Sequence, residues 1–213
     1  MAIAFDAKSN GSTQTISHTC TGSNLILVVG FLTYRIAGTA NSVTGVTYNG
    51  VAMTQYGVLE RAATSEYQYM YYLVGPSTGA NNIVVSTSNT LDAFQCSNAS
   101  YTGVQQTGQP DSYVTVAPSS SGGITATTTT VADNCWLAGF FCSDTAGSWT
   151  AGANTTLRDA SGNNQFCDSN GAKTPAGSYS LITTKASGID SGQMVSISPF
   201  TASTTNGNMF LTM

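Results

Sequence analysis

From Asn24 to Tyr34 the chain reads Asn-Leu-Ile-Leu-Val-Val-Gly-Phe-Leu-Thr-Tyr, its longest apolar run. In an extended strand successive side chains point to opposite faces. Here both alternating sets, Ile26/Val28/Leu32 and Leu25/Leu27/Val29/Phe31, are apolar, so a strand in this place must be covered on both sides. That makes it a central strand. Each large apolar side chain buried is worth roughly 1.5 to 3 kcal/mol, enough for this segment to outweigh most other local preferences. The run also has a twin, Asp133-Asn-Cys-Trp-Leu-Ala-Gly-Phe-Phe-Cys142, which repeats the Asn, the apolar run and a Gly-Phe pair with one residue fewer before the pair.

The rest of the composition agrees with strands. The 213 residues include 32 Thr, 26 Ser and 22 Gly; Thr suits a half-buried pleated surface and Gly suits tight turns. Only 8% of residues carry charge, against about 25% in ordinary globular chains, so the surface is polar but nearly uncharged. With a net charge of −4 and six scattered basic residues, the chain lacks the cationic patch on which affinity for phosphate backbones rests; no nucleic-acid partner is expected. No apolar run reaches the 18 or so residues of a membrane-spanning helix, and Met-Ala-Ile-Ala-Phe-Asp has neither the basic start nor the apolar stretch of a signal peptide. Synthesis in a cytoplasm is the expectation. The five cysteines, Cys20, Cys96, Cys135, Cys142 and Cys167, have no metal-type spacing. They read as reduced, buried thiols, with a bond between subunits as the alternative.

A first strand is expected over Ala2 to Phe5 and a β-prone segment over Thr13 to Thr19. Asn49-Gly50 sits between Val46-Thr-Tyr and Val-Ala-Met-Thr54, the signature of a two-residue hairpin in which both central residues take positive φ. Strands follow at Tyr56 to Arg61, Tyr67 to Val74, Ile83 to Thr87 and Ala93 to Thr102, with a turn over 75–82. Gln105 to Gly123, rich in Gln, Ser, Gly and Pro, reads as a long loop. Beyond it the pattern recurs in order. Thr125 to Val131 precedes the second apolar run, Gly147 to Thr156 aligns on Gly45 to Thr54, and Pro175 to Thr184 resembles Pro76 to Val85. The expected fold is all-β: a single β-sandwich domain of jelly-roll type over 1–213, built from two related half-units, 1–104 and 124–213, whose apolar faces share one core. Two separate small sandwiches are the alternative.

Candidate chemistry is sparse. His18 is the only histidine, and Cys20 lies two residues on, so a strand would put both on one face; a nucleophile would need a third orienting group and zinc four ligands. Glu60 and Glu66 are the only glutamates, and paired carboxylates are the machinery of many β-sandwich glycosidases, but Ala62 to Ser65 looks like a turn between them. Asp159 to Asn164 and Asp168 to Gly171 are oxygen-rich turns without EF-hand spacing. No catalytic residue, metal or cofactor is expected. The stripe Tyr67/Tyr69/Tyr71 is the candidate sugar or partner contact; cross-strand packing is the competing explanation for it.

In Val46-Thr-Tyr-Asn-Gly-Val-Ala-Met-Thr54, Tyr71-Tyr-Leu-Val-Gly-Pro-Ser-Thr-Gly-Ala-Asn-Asn-Ile-Val-Val85 and Ala99-Ser-Tyr-Thr-Gly-Val104, the chain resembles β-sandwich structural proteins of tailed bacteriophages. The resemblance covers most of the first half and, through the repeat, the second. It implies a non-enzymatic virion protein, a capsid decoration or cement protein first and a tail or fibre adhesin second, made in the host cytoplasm. The implied partners are copies of itself, with a trimer as one form, and a major capsid protein. A carbohydrate-binding, lectin-like module is the alternative, and neither reading involves a membrane.

Overall fold

A computed structural model describes residues 1–34, 43–61, 66–120 and 122–202. Among these residues seventeen strands run in order: β1 Ala4–Gly11, β2 Thr15–Cys20, β3 Ile26–Tyr34, β4 Val43–Tyr48, β5 Val51–Ala52, β6 Thr54–Arg61, β7 Glu66–Val74, β8 Gly79–Thr87, β9 Ala93–Thr102, β10 Ser112–Ser119, β11 Gly123–Thr129, β12 Trp136–Ser143, β13 Trp149–Ala151, β14 Thr156–Ser161, β15 Asn164–Asp168, β16 Ser178–Lys185 and β17 Asp190–Ile197. They form four antiparallel sheets and, among the described residues, no helix. The all-β class follows from the sequence as expected.

Two sheets have five strands, ordered β1-β9-β3-β7-β6 and β10-β17-β12-β15-β14. The smaller sheets run β2-β8-β4-β5 and β11-β16-β13. The large sheets lie face to face in reversed order, β1 against β14, β9 against β15, β3 against β12 and β6 against β10. Both apolar runs are central, as two-faced apolarity requires: β3 lies between β9 and β7, and β12 between β17 and β15.

Three apolar clusters fill the layers. The middle one joins Ile26, Val28 and Leu32 of β3 to Trp136, Ala138, Phe140 and Cys142 of β12. A second, behind β3, holds Leu27, Val29 and Phe31 against Ile16, Tyr48 and Ile83 of the four-stranded sheet. The third, behind β12, holds Leu137 and Phe141 against Ile124, Ala126, Trp149 and Leu181. The middle cluster takes side chains from both 1–104 and 124–213, whereas the buried residues of the second come from the first stretch alone and those of the third from the second stretch alone.

Local signals hold where the backbone carries them. Tyr48 pairs with Val51, and Asn49 and Gly50 take φ of 49° and 75°, the expected hairpin. Asn24 and Asn134 both sit at positive φ just before the apolar runs, a conformation Asn tolerates better than most residues. Counting from these two asparagines, Phe31 matches Phe141 and Gly30 matches Phe140, so the Gly-Phe pairs Gly30-Phe31 and Gly139-Phe140 are one residue out of structural step. Gly30 leaves room for its counterpart: a Cβ there would overlap the Phe140 ring.

Three boundaries need correction. The first strand runs from Ala4 to Gly11 rather than from Ala2 to Phe5, because its pairing with β9 continues to Gly11↔Cys96 past a bulge between Phe5 and Ala7. Gly79 to Asn82, expected within a turn, opens β8. The expected loop from Gln105 to Gly123 contains β10, an edge strand whose Tyr113 packs on the middle core and whose Val114 and Val116 pack on the third. Its short apolar alternation is masked by the Ser, Gly and Pro around it, and its pairing partner β17 lies far along the chain.

Candidate functional site

The tyrosine stripe is interior. Tyr69 and Tyr71 are buried behind β3, with Phe31 stacked on both at 4.9 and 5.7 Å between ring centres. Tyr71 donates to Gln55 Oε1 at 2.7 Å. Tyr67, half-buried at the end of the row, donates to Glu60 at 3.1 Å. Packing accounts for Tyr69 and Tyr71, so the stripe is not an exposed row of three rings; Tyr67 alone keeps its hydroxyl end exposed. Burial raises the hydroxyl pKa of Tyr69 and Tyr71, which keeps both neutral.

Glu60 and Glu66 are not a carboxylate pair. Glu60 stands opposite Tyr67 in the β6–β7 ladder, so Glu66, one residue from Tyr67, points to the other face of the sheet. Residues 62–65, the expected turn, lie outside the described residues. His18 and Cys20 do share a buried face of β2, but His18 is engaged elsewhere. Its Nδ1 lies 2.8 Å from Ser9 Oγ and its Nε2 lies 3.0 Å from Ser100 Oγ. Ser100 donates to Asp6 at 2.7 Å, so its oxygen must accept from Nε2–H, and Nδ1 accepts from Ser9. Burial lowers the His18 pKa to about 4, against the raising influence of Asp6. The imidazole is thus a neutral member of a closed hydrogen-bond chain. All five cysteines are buried, and no two of them are joined within the chain.

Of the two segments expected as oxygen-rich turns, the carboxylates stand in strands, Asp159 in β14 and Asp168 at the end of β15, and both enter the seam between the large sheets. Asp159 accepts from Asn10 at 2.6 Å and from Ser97. Asp168 accepts from Tyr101 at 3.0 Å and pairs with Arg158 at 2.6 Å, while the Arg158 guanidinium lies 4.0 Å over the Phe5 ring. Further cross-sheet bonds flank the apolar centre. Ser97 Oγ, its proton directed at Asp159, also lies 3.1 Å from Asn164 Oδ1, and Asn164 donates to Gln95 at 3.3 Å. Ser191 donates to Gln68 Oε1 at 3.0 Å, and Gln193 to the Gln68 carbonyl at 2.9 Å. These buried side chains bond across the seam and so set how one large sheet lies on the other.

Two surface features of the described residues bear on function. At one end of the seam lies a cleft of about 510 Å³, lined by Tyr34, Glu66, Phe94 and Gln95 from the first half and by Asp144 and Asn163 from the second. The other feature is the pair of outer faces. On β2, Thr15, Ser17 and Thr19 alternate outward; on β11, Thr125, Thr127 and Thr129 do so. Across their ladders stand Val84, Asn82 and Ala80, and Ile182, Ser180 and Ser178. Neither small sheet presents a charge outward: Lys185, the one charged residue in their strands, is buried and donates to Ser143, Thr145 and Ser187.

Comparison of the chain with protein-family models, curated proteins and solved structures finds no match. The functional reading therefore rests on the surfaces themselves. Composition points to an uncharged exterior; which strands carry it, and the existence of the cleft, depend on the stacking of sheets far apart in sequence.

Proposed function

We propose that the chain is a non-enzymatic virion structural protein of a tailed bacteriophage, a capsid decoration or cement protein that stabilises the head. The observation that carries this reading is the pair of uncharged Thr/Ser/Asn faces on opposite sides of a four-sheet body. Packing such a face against a neighbour strips no charge of its water, whereas a desolvated unpaired charge would be costly. The body is built to be rigid, since the two large sheets are covered on both sides by side chains and are locked together by buried hydrogen bonds. Matching strand orders support two related half-units of jelly-roll type, seated on each other about an approximate two-fold axis that runs between β3 and β12. A duplicated unit of that kind would present similar faces in two directions, as a protein bridging neighbours in a lattice requires. Copies of the same chain, with a trimer as one form, and a major capsid protein are the partners in this reading, and its place is the virion after synthesis in the host cytoplasm.

Immunogold electron microscopy with antibody to the recombinant chain, applied to particles from the source culture, tests the proposal. Regular labelling over heads is the expected result. Labelling confined to tails moves the protein to a fibre or adhesin, and unlabelled particles beside abundant free protein sink the virion reading. The seam-end cleft favours one second reading, glycan binding, with or without a place on a particle.

A further inference from the structure

We infer that the cleft at the end of the seam is a binding site for a neutral saccharide of one or two rings. Its volume of about 510 Å³ falls within the roughly 300 to 1,000 Å³ of small-molecule sites, which gather where two structural units meet. Its lining joins the ring of Tyr34 to the carboxylates of Glu66 and Asp144 and the amides of Gln95 and Asn163; Phe94, which also borders it, is buried with its ring stacked on Phe31. That set matches a sugar, whose C–H face lies on an aromatic ring while its hydroxyls both donate and accept.

The hydrogen-bonding capacity left in the cleft sharpens the inference. Gln95 Oε1 is taken by Asn164 Nδ2 at 3.3 Å, which holds the amide in place with its Nε2–H₂ unused among the described residues. Asn163 Nδ2 donates to the Ser143 carbonyl at 3.1 Å, leaving Oδ1 unused in the same sense. The Tyr34 hydroxyl is likewise unused. Two anchored amides thus present one donor and one acceptor, and a phenol can serve as either. A polyol satisfies all three together. Asp144 is oriented from behind, since its Oδ1 accepts from Ile189 N at 2.8 Å and from Thr145 Oγ1 at 3.0 Å. This site is separate from the tyrosine stripe and does not depend on the virion reading: immunogold labelling tells a cement protein without sugar affinity from a glycan binder absent from particles.

The test is saturation-transfer difference NMR on the full chain with glucose, galactose, N-acetylglucosamine and lactose, and with spermidine as a cationic control. At least one sugar should show transfer, with a Kd on the order of millimolar. Tyr34→Phe deletes only a hydroxyl, and Gln95→Glu keeps the acceptor for Asn164 while deleting the free donor; each should weaken binding about fivefold or more, roughly 1 kcal/mol, without shifting the melting temperature. Three results overturn the inference: no transfer from any of these sugars at ~20 mM, transfer from spermidine alone, or sugar binding that both variants leave unchanged.

Discussion

Behind β3, Phe31 stacks on Tyr69 and Phe94 at 4.9 and 5.5 Å. Behind β12, the residues at the matching ladder positions are Phe141, Gln165 and Asp190. Strand order, pleat and ring of the central phenylalanine are shared, yet two aromatic neighbours in one half become an amide and a carboxylate in the other. Gln165 Nε2 and Oε1 and both Asp190 oxygens are buried without a hydrogen-bond partner among the described residues, and Asp190 is only 1% exposed. The first half fills its inter-sheet space with stacked rings beside one desolvated amide oxygen, Asn98 Oδ1; the second gives up that stacking and carries four such atoms on Gln165 and Asp190. A β-sheet fixes where side chains stand and which way they face, not what fills the space between sheets.

The largest expected effect follows from breaking the aromatic side of this contrast. Phe31→Ala removes the ring common to three stacked contacts and should cost about 3 to 5 kcal/mol, read as a lower urea midpoint at unchanged m-value. Next comes pH, which separates the halves because His18, the only histidine, belongs to the first. Its folded pKa of about 4 lies below the ordinary value of 6.5, so between those values the unfolded chain binds the proton and the folded one does not. The resulting stability is present above pH 6.5 and is lost as pH falls toward 4, about 3 kcal/mol in all. His18→Gln should flatten that part of the stability–pH curve; an unchanged slope would mean that other groups cause it.

A smaller effect is expected at the seam. Gly30→Ala pushes a methyl into Phe140 and should destabilise by about 1 to 3 kcal/mol, with Phe140→Leu restoring much of the loss in a double-mutant cycle. The smallest change has the opposite sign. Asp190→Leu replaces a buried carboxylate that has no hydrogen-bond partner among the described residues with an apolar side chain, and should stabilise by about 1 to 2 kcal/mol. A loss of stability there would show that the carboxylate has a partner in solution, and the contrast between the halves would narrow.

The parts of the fold legible in the sequence are those written in short-range pattern. Ala93 to Thr102 matches β9 in full, and the Asn49-Gly50 hairpin closes as its residues require. The tyrosine stripe is legible as a strand face but not as an interior one, since an alternating row looks the same whichever side water is on; Phe31, 36 to 40 residues away in sequence, settles the matter. For the same reason β10 is hidden: its apolar alternation is short and its pairing partner β17 is some 80 residues distant. The cleft is not legible at all, because Gln95 and Asn163 meet only when β9 and β15 are stacked.

By itself the sequence determined the all-β class, the two central strands, the order in which the pattern recurs and the near absence of charge outside. These depend on backbone preference, alternation and composition, which act within a few residues. Tertiary structure alone decided that four sheets enclose three cores, that Gly30 receives Phe140, that the tyrosines face inward and that a cleft opens at the seam. Those outcomes depend on side chains from distant strands competing for the same volume, and no local pattern records which of them will meet.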